Sequence, residues 1–138
     1  MRTTLPLLAL LALPMTAGAA LAGDAAAGEA DFKKCKACHS ITAADGATIV
    51  KGGKTGPDLY GVIGRVAGSV EGFKYGGALA QLAETGMVWD EAALAAFIED
   101  PNAYLKEATG DAKARSKMTY KHKKGAEDMA AYLAAQSE

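Results

Sequence analysis

The chain contains two cysteines, Cys35 and Cys38, which are separated by two residues and followed directly by His39, in the sequence Cys-Lys-Ala-Cys-His. This C-x-x-C-H pattern is typical of covalent c-type haem attachment. Two intervening residues let both sulfurs reach the two vinyl groups of one porphyrin as thioethers, and the next residue then lies under the iron as proximal ligand. The motif predicts one covalently bound haem c, attached through Cys35 and Cys38 and ligated by His39.

Other uses of a cysteine pair fit the rest of the chain less well. A thioredoxin-like redox pair is expected beside a βαβ unit, and the sequence shows no strand-like alternation. A structural zinc site needs four ligands, and only the distant His122 could join the three residues of the motif. A plain disulfide stays open as an alternative, but it leaves His39 without a role.

The remainder of the chain indicates an all-α domain with long loops. Residues 40–72 are rich in glycine and show little periodicity, which indicates loops and tight turns. Loops of this length in so small a helical domain usually wrap something. Helices are expected over residues 24–37, over 77–84, from a cap at Asp90 to the residue before Pro101, from Pro101 through Leu105, and over 126–135.

The first 22 residues have the pattern of an export signal. Arg2 supplies a positive charge, residues 5–13 form a short apolar run, and residues 20–22 read Ala-Leu-Ala, which suits a signal peptidase. A membrane anchor is the alternative, but prolines interrupt the run. We therefore expect a signal peptide over residues 1–22, a single domain over 23–138, and a periplasmic mature protein that does not span the membrane.

Four side chains compete for the sixth position on the iron, since the two methionines of the leader are removed with it. Met129 shares a helical face with apolar residues, and Met87 lies in a short link, so ordinary packing explains both. Met118 stands in a polar loop without a helical face to join, and a ligand role explains it. His122 is the remaining alternative, in a lysine-rich segment that is expected to be solvated.

The charges are nearly balanced, with 15 Lys and Arg against 16 Asp and Glu and a formal net charge of −1, so the general basicity of a nucleic-acid coat protein is absent. Their distribution is uneven. Residues 32–54 carry five lysines and one acid, residues 112–124 six basic residues and no acid, and residues 84–111 seven acids and one lysine. Because both basic segments flank predicted ligands, a lysine-rich docking face is favoured over a merely solvated surface.

With these residues in place, the chain resembles class I cytochrome c, in particular the larger bacterial carriers of the cytochrome c2 and c-550 type. The resemblance covers essentially the whole mature chain. It implies a cytochrome c fold, with about four to five helices and long loops wrapped around one haem. It is carried by Cys-Lys-Ala-Cys-His, by Thr-Gly-Pro-Asp-Leu-Tyr-Gly-Val-Ile-Gly-Arg (55–65), by Phe-Lys-Tyr (73–75), by Trp89, by Asp100-Pro101 and by Lys117-Met118.

The resemblance also implies roles around the haem. The carbonyl of Pro57 would accept the second ring proton of His39. Phe97 stands where many relatives carry a tyrosine near the ligand methionine, so that hydroxyl should be missing here. Arg65, Tyr75 and Trp89 would bind or neutralise the buried propionates, Ser116 stands where the family often has threonine, and Gly28 and Phe32 would pack against Tyr132.

The function that follows from the resemblance is electron transfer rather than enzymatic catalysis. With both axial positions filled, the iron has no open site for substrate, and one-electron change is the available reaction. The expected protein is a monomeric periplasmic shuttle in respiration or photosynthesis, carrying electrons from a cytochrome bc complex to a photosynthetic reaction centre or a terminal oxidase or reductase. The alternative is a peroxidase or gas-binding sensor in which the distal ligand is absent or labile.

Overall fold

The computed structural model describes residues 23–137, and the expected signal peptide, residues 1–22, lies outside them. Five α-helices dominate this part of the chain, which confirms the all-α class. They are α1 (Ala25–Asp31), α2 (Gly77–Thr85), α3 (Glu91–Glu99), α4 (Pro101–Thr109) and α5 (Ala126–Ala134), with a 3₁₀ turn (Phe32–Lys34) after α1 and a small hairpin of β1 (Ile41–Thr42) and β2 (Thr48–Val50).

Aspartates begin three of the helices. The Asp24 carboxylate accepts hydrogen bonds from two backbone amides in the first turn of α1, Asp90 caps α3, and Asp100 caps α4. Each carboxylate satisfies amides that have no partner within the helix. Pro101 occupies the first position of α4, where its missing N–H costs nothing. The caps at Asp90 and the break at Asp100-Pro101 therefore lie where the sequence predicts them.

The first helix is shorter than the composition predicts. Instead of continuing to residue 37, it gives way to the 3₁₀ turn and then to tight turns, in which the amides of Cys35 and Lys36 both donate to the Phe32 carbonyl. The amide of His39 in turn donates to the carbonyl of Cys35. This tightening brings the cysteine motif out of the helix and turns it toward the interior.

The hairpin is a second difference from expectation. Its strands are two and three residues long, with Ile41 opposite Val50 and Thr42 opposite Thr48. Asp45 stabilises the connecting turn by accepting a hydrogen bond from the Ala47 amide. Strands of this length are too short to produce a period-two pattern, and so composition alone does not reveal them.

The first and last helices cross at a glycine. A Cβ on Gly28 would overlap the Asp128 carbonyl and approach the Tyr132 side chain, so only glycine lets α1 and α5 come this close. The rings of Phe32 and Tyr132 lie 5.5 Å apart beside the crossing. These contacts confirm the expected packing of Gly28 and Phe32 against Tyr132.

Helices α3 and α5 also pack against each other, and their buried side chains reach the centre of the domain. Leu94 and Ile98 of α3 and Met129 and Leu133 of α5 are buried and face a large internal cavity. Within residues 23–137, no helix has the length and apolar character needed to cross a bilayer.

Candidate functional site

A cavity of about 620 Å³ lies between helices α3 and α5 and the glycine-rich loops. It brings together residues far apart in the chain. Cys35, Cys38 and His39 line one side, and Met118 lies in the wall as well. The other residues expected around a haem, namely Pro57, Arg65, Tyr75, Trp89 and Ser116, also line it.

The size and lining of this cavity suit a large cofactor, since ligand pockets in proteins usually measure about 300 to 1,000 Å³ and are lined mainly by apolar side chains. A porphyrin is large, flat and mostly apolar, and the cavity is lined mainly by apolar side chains. The cavity and the two cysteines in its wall therefore fit a covalently held haem.

His39 is oriented by a short hydrogen bond. Its Nδ1 lies 2.7 Å from the carbonyl oxygen of Pro57, and because a carbonyl only accepts, Nδ1 carries the proton. Burial lowers the pKa of His39, and this effect outweighs the opposing hydrogen bond to Pro57 and the charge of Asp58. The ring is therefore neutral at pH 7, with a lone pair on Nε2 available for a metal.

The loop that carries Gly53 and Gly56 packs closely against the His39 ring. The amide of Gly53 donates to the carbonyl of Lys36 and that of Gly56 to the carbonyl of Cys38, so the loop is tied directly to the cysteine motif. A Cβ on Gly56 would overlap the His39 imidazole itself. Glycine at this position is thus a steric requirement for the position of the ring.

The two cysteines do not have the properties of a redox pair. They are not joined as a disulfide, and burial raises the pKa of the Cys35 thiol to about 11. Reactive cysteines of thioredoxin-like sites have a lowered pKa, which gives the thiolate at neutral pH. Cys38 is exposed at the edge of the cavity. Thiol–disulfide catalysis is therefore disfavoured, whereas attachment of a group in the cavity remains in agreement with the geometry.

Arg65 is the half-buried cation of the cavity wall. Its guanidinium donates to the carbonyl oxygens of Tyr60, at 3.0 Å, and Asp58, at 3.1 Å. Burial lowers its pKa, but an arginine stays charged at any physiological pH. Nearby, the Tyr75 hydroxyl accepts a hydrogen bond from the Val70 amide. A cation and a phenol in the same wall suit an anionic group such as a propionate.

A side chain of helix α4 holds the segment that carries Met118. The amide of Met118 donates to the Ser116 hydroxyl at 3.0 Å, and the amide of Ser116 donates to the Asn102 side-chain oxygen at 2.8 Å. Helix α4 thus fixes the segment through Asn102, a residue that sequence reasoning missed. No motif connects Asn102 with Ser116, and only the position of Asn102 in the first turn after Asp100-Pro101 could have suggested a role.

The competing sixth ligands have different surroundings. Met129 is 1% exposed within α5 and belongs to the core, as its helical spacing predicts, although its side chain also reaches the cavity. Met87 is partly buried against the core, and its carbonyl accepts from the Ala67 amide. Both are accounted for by packing.

The side chain of His122 is buried, contrary to the expectation from the sequence around it. The lysine-rich segment around it indicates solvent exposure, but the side chain is only 3% exposed and lines the cavity. The reason is a backbone hydrogen bond of 2.8 Å from the His122 amide to the carbonyl of Ile98, which returns the segment against α3. The flanking residues Lys121 and Lys123 remain exposed. Composition gave the correct environment for the lysines and the wrong one for the histidine.

Three aromatic side chains pack together beside α3 and α4. The Trp89 ring lies 5.2 Å from Phe97 and 5.6 Å from Tyr104, and Phe97 lies 5.9 Å from Tyr104. Phe97 faces the cavity. Because this side chain is a phenylalanine, it offers the cavity no hydroxyl, as expected.

Comparison with known proteins identifies the family, although no family model matches the chain. The chain is 52% identical over 127 residues to cytochrome c2 of Rhodobacter capsulatus, covering 92% of this chain and 93% of that protein. It is 54% identical over 129 residues to cytochrome c-550 of Paracoccus versutus, covering 92% and 82%. The crystal structure of the R. capsulatus cytochrome c2 matches with a TM-score of 0.81 at 54% identity, covering 82% of this chain and 97% of that one. The chain belongs to the cytochrome c2 and c-550 family.

Membership decides the cofactor and the class of activity. Cytochromes of this family carry one covalently bound c-type haem, and they are electron-transfer proteins rather than enzymes. This chain is therefore an electron carrier with one haem c, and the cytochrome c fold is confirmed. Family membership therefore does not support the alternative hypothesis of a peroxidase or gas sensor. It also does not support a haem-free disulfide protein.

Proposed function

We propose that the protein is a periplasmic one-electron shuttle whose haem is attached through Cys35 and Cys38 and ligated by His39 and Met118. The observation that carries this proposal is that His39 and Met118, 79 positions apart in the sequence, line the same haem-sized cavity. The signal peptide over residues 1–22 is removed on export, which leaves residues 23–138 as the cytochrome domain.

The chain supports electron transfer by what it holds in place. When bound, the haem supplies a one-electron couple between ferrous and ferric iron. His39, oriented by Pro57, and the thioether of Met118 would hold the iron from two sides and would keep other molecules away from it. The apolar wall of the cavity, together with a thioether ligand, would favour the ferrous form and raise the reduction potential.

Polar residues of the wall hold the haem propionates in this proposal. Arg65, Tyr75 and Trp89 line the cavity and would bind the propionates or neutralise their charge. Ser116 lies in the same wall, and its hydroxyl accepts from the Met118 amide. Ser116 therefore contributes to the position of the ligand segment in addition to any contact with a propionate.

Docking uses the lysine-rich face around the cavity edge. Lys34, Lys74 and Lys117 line the edge of the cavity and are exposed, and so are Lys36 and Lys121. An acidic surface on the partner would be steered to this face, and attraction of this kind weakens as salt rises. The proposed donor is a cytochrome bc complex, and the acceptor is a photosynthetic reaction centre or a terminal oxidase or reductase.

The ligation is tested by visible spectroscopy of the purified holoprotein. The ferric wild type should show the weak charge-transfer band that is characteristic of sulfur–iron ligation. Met118→Ala should lose this band while the haem stays covalently attached, and Met87→Ala, the matched control, should keep it. A band that persists in Met118→Ala would overturn the assignment of Met118. N-terminal sequencing of the exported protein should begin at Gly23.

Docking is tested by the rate of electron transfer to a membrane partner as salt is raised. The second-order rate constant should fall with ionic strength. Lys74→Gln, at the cavity edge, should lower the rate at low salt, whereas Lys106→Gln, in the acidic part of the chain, should change it little. A rate that stays constant or rises with salt would contradict docking through lysines, without affecting the assignment of the iron ligands.

A further inference from the structure

His122 is an unusual residue in its surroundings. It is 3% exposed, although Tyr120, Lys121, Lys123 and Lys124 around it are exposed. Burying an imidazole is costly unless its nitrogens are paired. A buried histidine in an otherwise solvated segment therefore points to a specific role for this side chain.

Its contacts join three parts of the molecule. The His122 amide donates to the carbonyl of Ile98 in α3. The Tyr120 hydroxyl lies 3.4 Å from Nδ1 of His122, which places the two side chains of the ligand segment against each other. Nε2 lies 3.5 Å from an oxygen of Asp31, at the end of α1, and makes no hydrogen bond.

The ring also lies where α1 and α5 meet. A Cβ on Gly125, just before α5, would be 3.7 Å from His122 Nε2 and 3.4 Å from a carboxylate oxygen of Asp128. Asp128 in turn accepts a hydrogen bond from the Asp24 amide, at the start of α1, at 2.7 Å. The Nε2 edge of the His122 ring thus lies at the junction of α1 and α5. The same side chain also forms part of the cavity wall.

These contacts lie on the C-terminal side of Met118, where regular secondary structure resumes only at α5. On the N-terminal side, Ser116 and Asn102 hold the backbone. A ligand that is held in its bound conformation binds more tightly, because less ordering is needed on binding. The position of the Met118 thioether therefore depends on an anchor on each side of it.

We propose that His122 is a positioning residue for the sixth ligand: its buried side chain holds the segment after Met118 against the α1–α5 junction, beside the backbone bond to Ile98, and so keeps the thioether in place for the iron. This inference rests on the proposed ligation by Met118. The residue acts through Met118 and not as a ligand itself, because Nδ1 faces Tyr120 and Nε2 faces Asp31.

The test is displacement of Met118 from the ferric holoprotein by added imidazole, followed as loss of the sulfur–iron band. His122→Phe, which fills the space without polar contacts, should raise the apparent affinity for imidazole by about tenfold. His122→Gln, which keeps hydrogen-bonding atoms, should give a smaller increase. Lys123→Gln, an exposed neighbour, should bind imidazole like the wild type.

A destabilised control separates positioning from general weakening. Ile41→Val shortens a fully buried side chain in the hairpin, outside the residues that line the cavity, and should lower the global stability. If His122→Phe binds imidazole no more tightly than Ile41→Val, the proposal is overturned. If the wild type lacks the sulfur–iron band, the proposed function fails instead, so the two failures are distinguishable. His122→Gln provides the same comparison if His122→Phe does not mature.

Discussion

The two sides of the haem cavity are built in different ways. On the side of His39, the loop from residue 52 to 65 is tied to the cysteine motif by backbone hydrogen bonds, and the Pro57 carbonyl orients the ring. On the side of Met118, the segment is held by the side chain of Asn102, by one backbone bond to Ile98, and by two exposed lysines that donate to the Lys74 carbonyl and the Asp100 carboxylate. The first arrangement rests on several backbone hydrogen bonds within one loop, and the second on single contacts, most of them from side chains.

This difference predicts which of the two iron ligands, His39 or Met118, is displaced more easily. The His39 ring and the Pro57 carbonyl remain together as long as the loop keeps its backbone bonds to the cysteine motif. The Met118 segment has its anchors on α3, on α4 and at the α1–α5 junction, and each can be released without unfolding the cysteine motif. Local opening takes place where few contacts hold the backbone. We therefore expect ligand loss to begin at Met118 and His39 to stay bound.

The largest effect is expected for Gly56→Ala, on the rigid side. Its Cβ would overlap the His39 ring, which the hydrogen bond to the Pro57 carbonyl holds in place, so the ring must give up this position or the loop must shift. Overpacking of this kind costs about 3 kcal/mol. Chemical denaturation of the holoprotein should show this loss, and the haem spectrum should show disturbed histidine ligation.

Gly77→Ala is the control for Gly56→Ala. Nothing lies within 4 Å of a Cβ at Gly77, and this residue begins α2. Alanine there should be neutral or stabilising by up to about 1 kcal/mol, since it restricts the unfolded chain. Equal effects of the two substitutions would show that the His39 side accommodates an added Cβ and is not rigid.

On the other side of the cavity, Asn102→Ala should have an intermediate effect. It removes the acceptor of the Ser116 amide and leaves a partly buried donor unsatisfied, at about 1.5 kcal/mol. The sulfur–iron band should also become easier to displace with imidazole. Asn102→Asp keeps an acceptor oxygen and should retain most of the stability. A loss of stability without any change in the displacement of Met118 would contradict the anchoring role of Asn102.

The same contrast explains how much of the site the sequence could predict. The cysteine motif, the cap at Asp90 and the break at Asp100-Pro101 act over short stretches of chain, so their residue types and spacing carry the information. The roles of Pro57, Trp89 and Arg65 follow only from resemblance to a known family, since nothing in their local sequence indicates a cavity.

Long-range contacts were not predictable in this way. The burial of His122 depends on a backbone bond to Ile98, and lysines on both sides of it dominate the composition. The bond between Asn102 and Ser116 joins two residues that have no common motif. Which polar residue becomes buried is decided by how the helices pack, and packing is not recorded in local spacing.

Asp58 gives a pH-dependent test of the rigid side. Burial alone would raise the pKa of Asp58, but hydrogen bonds from the Tyr60 amide and from Thr42 and Ser40 outweigh it and lower the pKa below its ordinary value. A lowered pKa in the folded state means that the carboxylate stabilises the fold above about pH 4 and loses this contribution as the pH falls further.

Asp58→Asn should therefore lower the unfolding free energy at pH 7 by about 1 kcal/mol, since partial exposure screens the charge. The difference from the wild type should shrink as the pH is lowered below about 4. Ser40→Ala, which removes one donor and keeps the carboxylate, should give a smaller loss in the same pH range. Denaturant titrations at several pH values measure this, and a difference that grows on acidification would show that the carboxylate is destabilising.

The smallest effect is expected for the exposed ion pair on the Met118 side. Lys121 Nζ lies 2.7 Å from a carboxylate oxygen of Asp100, but the two side chains are 41% and 37% exposed. Water and salt screen such pairs, and holding two flexible side chains in one geometry offsets much of the attraction. Lys121→Ala should leave imidazole displacement and stability close to those of Lys123→Ala, and any difference should vanish at high salt. If Lys121→Ala instead released Met118 as readily as Asn102→Ala, surface charge rather than the buried contacts of Asn102 and His122 would hold the ligand segment.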